Sequence, residues 1–170
     1  MHILRNGLII GCVSLVSACG GGSGGSSTDS RSLNLEQASL EGAWQRCEYE
    51  DVGIVIEGQN SELFRTTMAN GGWNDVFIGY ASSDCTGPEL YVEEYTGSYN
   101  IAGTVTTDSG VSAIQVDWVN EEGEVYCYDL VHVDGNLLYW GDLDLETDCE
   151  SPETRPTDIY FEYPLERVSN

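Results

Sequence analysis

The sequence predicts an all-β fold, an antiparallel up-and-down barrel of about eight strands, from three observations. After Leu40 nearly every segment alternates apolar and polar residues with period two and is rich in Tyr, Trp, Val, Ile and Thr, as half-buried strands are. Glycine-containing turn sequences, Asn70-Gly71-Gly72, Asn120-Glu121-Glu122-Gly123 and Asp134-Gly135, fall between these segments at hairpin spacing. About 135 residues remain from Leu35 onward, enough for one core, and a meander of that size loses its two exposed edges by closing on itself.

The elements follow in order. A short helical turn is predicted over residues 34–40, then a first strand over 43–50 and a weak piece at 54–57. Residues 61–68 and 73–81 read as a hairpin, because Gly71 and Gly72 supply the positive φ angles that a tight turn demands. Cys85-Thr86-Gly87-Pro88 breaks the chain, after which 90–95 and 97–101 read as two strands or one bent strand. Ile114, Val116 and Trp118 alternate with Gln115 and Asp117, which gives one apolar face and one wet face. Residues 124–133 and 136–142 form a hairpin about Asp134-Gly135, and a two-residue turn there sets Val133 opposite Asn136. A polar, proline-containing stretch, 146–156, precedes a last strand over 157–163.

The N-terminus carries different information. Arg5 precedes an uncharged apolar run from Gly7 to Val16, the layout of an export signal and too short to span a membrane. The run ends in Leu15-Val16-Ser17-Ala18-Cys19, which resembles the lipobox of bacterial lipoproteins. That resemblance implies cleavage after residue 18 and lipidation of Cys19, which becomes the first mature residue. Residues 19–34 are then the lipidated cysteine and a Gly/Ser-rich tether, and 35–170 the folded domain. The sorting rules of such lipoproteins, with Gly20 and Gly21 after the cysteine, imply the periplasmic face of the outer membrane.

All 29 acidic residues lie after Cys19, against five arginines and no lysine, so the mature chain is formally −24. Such a charge repels phosphate backbones and anionic lipid surfaces and argues against nucleic-acid binding; it suits a solvated surface, a basic protein partner, cations, or a neutral ligand held inside a cavity. Four cysteines remain in the mature domain, and an even number in an exported chain points to two disulfides. Of three connectivities, Cys47 with Cys85 and Cys127 with Cys149 is favoured because each joins elements close in chain order. No Cys-x-x-Cys occurs and His132 is the one mature histidine, so no metal site or cofactor is expected.

Gly42-Ala43-Trp44 on the first strand, eight sequential strands and Arg167 near the C-terminus together resemble the lipocalin-like barrels found in bacterial lipoproteins. The resemblance implies that Trp44 plugs the closed end and that Arg167, or failing it Arg155, packs across its face as a cation–π pair. It also implies a lipophilic ligand in the barrel, and Trp73, Phe77, Tyr91, Trp118, Tyr126 and Tyr139 are the candidate wall. These rings would equally well fill the interior of so small a barrel.

Catalysis is not expected: a nucleophile needs a base beside it, His132 sits between Val131 and Val133 as a wall residue, and no carboxylate pair stands out. Asp142, Asp144, Glu146 and Asp148 alternate, but without the spacing of a calcium loop they read as a solvated edge. Two functions remain besides a purely structural lipoprotein. One is a binding module for a small lipophilic molecule. The other is an acidic interaction protein that captures a basic envelope partner. The envelope lysozyme inhibitors are similar small, acidic, disulfide-bonded barrels, yet their Tyr-x-x-x-Thr-Lys-Gly loop cannot occur without lysine. Their Ser-Gly-x-x-Tyr appears here as Ser109-Gly110-Val111-Ser112-Ala113, lacking the tyrosine.

Substituting Cys19→Ser is expected to abolish fatty-acid labelling and to leave the signal uncleaved by the lipoprotein-processing enzyme. Labelling that survived this substitution would refute the anchor.

Overall fold

A computed structural model describes residues 30–49, 56–143 and 149–169. The signal, Cys19 and most of the tether lie outside the described residues, as do Asp144, Glu146 and Asp148. An N-terminal helix, α1 (Ser30–Leu40), leads into eight strands: β1 (Gly42–Glu48), β2 (Ser61–Ala69), β3 (Gly72–Tyr80), β4 (Glu89–Thr106), β5 (Ser112–Val119), β6 (Val125–Asp134), β7 (Leu137–Trp140) and β8 (Leu165–Arg167). Each strand pairs antiparallel with the next and β8 returns to β1, so the predicted up-and-down barrel is closed. No helix among the described residues is long and apolar enough to cross a membrane.

Local chemistry accounts for the hairpins. Ala69 pairs with Gly72 across Asn70 (φ 52°) and Gly71 (φ 76°), a two-residue turn with positive φ at both central positions. The β6–β7 turn corrects the expected register: Asp134 pairs with Leu137 and Val133 with Leu138, so Gly135-Asn136 is the turn and Val133 does not face Asn136. Gly135, at φ 60°, takes the first central position, where a type II′ turn requires glycine.

β4 is one bent strand of 18 residues. Its first half pairs with β3 as far as Ser98, and its second half pairs with β5 from Ser98 onward. Gly97 sits at the changeover because nothing larger fits: a Cβ there would lie 2.2 Å from the Val119 carbonyl oxygen and 2.7 Å from the Trp73 ring.

The alternating run at 157–163 is not the last strand. Ile159 makes an isolated bridge to Gly141 and packs with Ala113 and Leu130 on the outer face of the barrel, and Tyr139 lies against the same cluster. β8 begins only after Pro164, where Leu165 and Arg167 turn inward. The segment alternates because it covers the outside of the sheet as a strand would cover a core. The piece at 54–57 is likewise no strand where it is described, Ile56 and Glu57 being in a bend and a turn.

Both favoured disulfides are present. Cys47–Cys85 ties β1 to the loop after β3, and Cys127–Cys149 ties β6 to the segment that follows β7. The main core lies at one end of the barrel, where Leu40, Trp44, Met68, Trp73, Trp118, Leu138 and Leu165 pack together. Trp44 is 0% exposed and its Nε1 donates to the Leu40 carbonyl at 2.9 Å. The Arg167 guanidinium lies 3.9 Å from the Trp44 ring centroid and donates to the carbonyls of Glu41 and Ser39 at 2.7 and 3.0 Å.

Gly97→Ala is expected to lower the stability of the oxidised chain by about 1–3 kcal/mol in a urea titration, because the added methyl meets backbone and a packed indole. An unchanged midpoint would show that β4 can shift at its bend.

Candidate functional site

The register defines which side chains face the lumen. Starting from Trp44, cross-strand pairing places Thr66, Asp75 and Tyr95 on its level, and Arg46, Phe64, Phe77 and Glu93 one step toward the open end. Glu48, Glu62, Gly79 and Tyr91 follow one step further. Beyond the bend of β4, Tyr99, Trp118 and Cys127 face inward together. The lumen therefore has a closed apolar end and an open end where aromatics and carboxylates mix.

The six candidate wall residues separate into three groups. Trp73 and Trp118 belong to the packed end: Trp73 donates through Nε1 to the Ser98 carbonyl at 3.0 Å, the two indoles meet edge to face at 6.4 Å, and Trp118 also packs on Tyr99 and Trp140. Phe77, Tyr91 and Tyr126 border the open half. Phe77 stacks on Phe64 at 4.8 Å and meets Tyr95 at 6.0 Å, which makes a continuous aromatic strip. Tyr91 fills the space left by Gly79, where a Cβ would come within 2.1 Å of its ring, and its hydroxyl donates to the Glu62 carboxylate. Tyr126 stands 6.1 Å from Trp73, beside the irregularity in the β5–β6 ladder. Tyr139 is elsewhere: it lies outside the barrel against His132 and Phe161. His132 is its cross-strand neighbour on that outer face, with Nδ1 2.8 Å from the Ser112 carbonyl.

Phe64, one step toward the open end, and Asp75 and Tyr95, on the level of Trp44, face the lumen too and were not among the expected wall. The signal for Asp75 was present, since it lies between Trp73 and Phe77 on one face of a strand. Phe64 and Tyr95 required the register of neighbouring strands.

Two carboxyl groups are perturbed. Burial pushes Asp75 up to about 6, opposed by a hydrogen bond with Thr66. Burial also raises Asp129 to about 7, although it accepts hydrogen bonds from the Leu130 and Gly141 amides and the Trp118 indole and feels the charge of Arg155. Gly141 permits this approach, because a Cβ there would lie 2.5 Å from Asp129 Oδ1. The Tyr91 hydroxyl is pushed up by burial and by Glu62, and Tyr126 is pushed up to about 12 by burial and by the charges of Asp75 and Asp129.

Arg155 serves structure on the outside of the barrel. It donates to the carbonyls of Val116 and Asp129, pairs with Asp117 at 2.5 Å and stacks on Tyr128, which pins the segment before β8 to the sheet. Two concavities among the described residues lie away from the candidate wall. One of about 220 Å³ opens beside α1 against Tyr99 and Ile101, and one of about 580 Å³ runs over the outer face of β1 and β2 past Gln45, Leu63, Arg65 and Tyr80. Among the described residues no three His, Cys, Asp or Glu side chains converge as metal ligands would.

What the fold defines is a closed, eight-stranded, antiparallel up-and-down β-barrel with one plugged end. No protein-family model matches the chain, and no curated protein matches it.

The raised carboxyl of Asp129 has a signed consequence. Between its ordinary 3.8 and about 7, the folded chain holds a proton that the unfolded chain releases. The stability associated with that proton is fully present below pH 3.8 and lost as pH rises through 7. Asp129→Asn should therefore flatten part of the decline in denaturation midpoint between pH 4 and 8, the gap between the two proteins changing by roughly 2–4 kcal/mol. A gap independent of pH would mean that the carboxyl is ionised throughout.

Proposed function

We propose that this chain is an outer-membrane lipoprotein, anchored through Cys19 and facing the periplasm, whose lipocalin-like barrel holds a small lipophilic molecule in its open half. The observation that supports the site most directly is the aromatic strip of Phe64, Phe77 and Tyr95, which runs toward the open end from the level of Trp44, where Tyr95 is 48% exposed. A plugged end gives an apolar molecule a floor, and a part-exposed aromatic wall gives it surface to bury, worth about 25 cal/mol per Å².

The charges facing the mouth narrow the ligand. Asp75, Glu62 and Glu93 face inward there, while Arg46, the basic residue on the same face, is already paired with Glu48 and donates to the Tyr163 carbonyl. An anionic fatty acid would meet net repulsion. A neutral lipophile, or one carrying an amine, meets aromatic faces and carboxylates whose partners are hydroxyls rather than cations.

Intact mass spectrometry of the full chain extracted in mild detergent, with tryptophan fluorescence titrated by lipophiles of one chain length and three charges, tests the proposal. Neutral and cationic compounds should quench saturably and the carboxylate should bind at least about tenfold more weakly. The preference for the cation should grow as pH rises through about 6, where Asp75 ionises. Tyr95→Ala removes an exposed side chain without touching the core and should weaken the binding. No saturable response to any of the three, or a response that Tyr95→Ala leaves intact, would overturn the lumen as the site.

A further inference from the structure

The bend in β4 leaves part of a strand without a neighbour. β4 pairs with β3 over Glu89 to Ser98, whereas β5 reaches only the stretch from Ser98 to Thr106. Toward β5, residues 89–96 make no backbone hydrogen bond with another segment among the described residues. A closed barrel thus retains one short open edge, and an open edge is a template for another strand.

Its side chains make the edge unusual. Val92 is 52% exposed, Tyr95 48% and Leu90 38%, so the apolar residues of the strand are not covered by the fold. Around them stand Glu89, Glu93 and Glu94, and beside them the β5–β6 turn presents Glu121, Glu122 and Glu124. Thr96 Oγ1 donates to Glu121 Oε1 at 2.5 Å, which fixes that turn next to the end of the edge. No basic residue lies in either stretch.

We propose that residues 89–96 dock an extended basic segment of another protein by strand addition. Backbone pairing would satisfy the amides and carbonyls of the edge, apolar residues on one face of the added strand would cover Leu90 and Val92, and its lysines or arginines would meet Glu93 on the other face and Glu89 and Glu94 near the two ends of the edge. The occupant cannot equally be a second copy of this chain. Pairing two such edges brings the glutamates of one against those of the other, and like charges placed across a ladder repel. The charge pattern thus blocks self-association and selects a basic strand, discriminating by repulsion as well as attraction. Tyr95 and Glu93 face the lumen as well, but Glu89 and Glu94 do not line the aromatic strip, so reversing those two charges separates the edge from a ligand in the lumen.

The test uses the full chain in mild detergent and three labelled decapeptides: one alternating lysine with valine, the same peptide N-methylated at alternate residues, and one alternating lysine with proline. The lysine–valine peptide should bind saturably and slow amide exchange within residues 89–96. The N-methylated and proline peptides should bind at least about tenfold more weakly at equal charge, and Glu89→Lys with Glu94→Lys should weaken the first peptide by a similar factor. Equal binding of all three peptides would show diffuse attraction to an acidic surface and overturn strand addition. Absence of binding, protection lying outside 89–96, or indifference to the charge reversal would overturn it too. A concentration-dependent dimer protected at these same amides would show that the occupant is a second copy.

Discussion

The seam between the first and last strands is held by side chains more than by backbone. β1 and β8 share only two residue pairs, Trp44 with Arg167 and Gln45 with Glu166, and β8 shares only two with β7. A ladder that short does not close a barrel against the entropy of ordering its ends. Arg167 lies across the Trp44 ring and donates to Ser39 and Glu41, while the indole donates to Leu40. Three consecutive carbonyls at the C-terminus of α1, groups that a helix cannot satisfy internally, are thereby capped by the two residues that close the sheet. A guanidinium at that end also complements the helix dipole. Helix, first strand and last strand are one unit, and the core grows from it.

From that plug outward the interior changes character. Near Trp44 the rings of Trp73, Tyr99, Trp118 and Trp140 fill the barrel by edge-on and tilted contacts. Toward the mouth the inward positions hold carboxylates beside Phe64, Phe77 and Tyr91, and the perturbed carboxyl of Asp75 marks where burial begins. Among the described side chains, arginine does not balance these charges. Arg46, Arg155 and Arg167 are committed to structural contacts, and Arg65 donates to Gln45. With no lysine in the chain and these four arginines held as clamps, Glu62, Asp75 and Glu93 have no ion pair among the described residues.

Individual residues show how much of this was legible. The strand pattern, the disulfides and the pairing of Trp44 with Arg167 could be read because each rests on a local alternation, a count of cysteines or a two-residue resemblance. Tyr139 shows where such reading stops. It alternates as a wall residue should, yet it faces outward, because the segment through Ile159 and Phe161 covers the outside of β7 with a second apolar cluster. The same cluster explains why residues 157–163 look like a strand without being one. Phe64 and Tyr95, distant in sequence, meet Phe77 only through the pairing of three strands.

Alternation alone determined the fold class, the hairpin order and the faces of most strands, because period two reports the side of a sheet to which each residue points. It cannot report register. Sliding a strand by two residues preserves every face, as the shift from Val133 opposite Asn136 to Val133 opposite Leu138 demonstrates. Only the tertiary structure decided which rings touch, where β4 leaves β3 for β5, and hence which eight residues keep an open edge. Those outcomes depend on the stagger needed to bring β8 back to β1, a condition on the whole barrel to which no single segment holds the information.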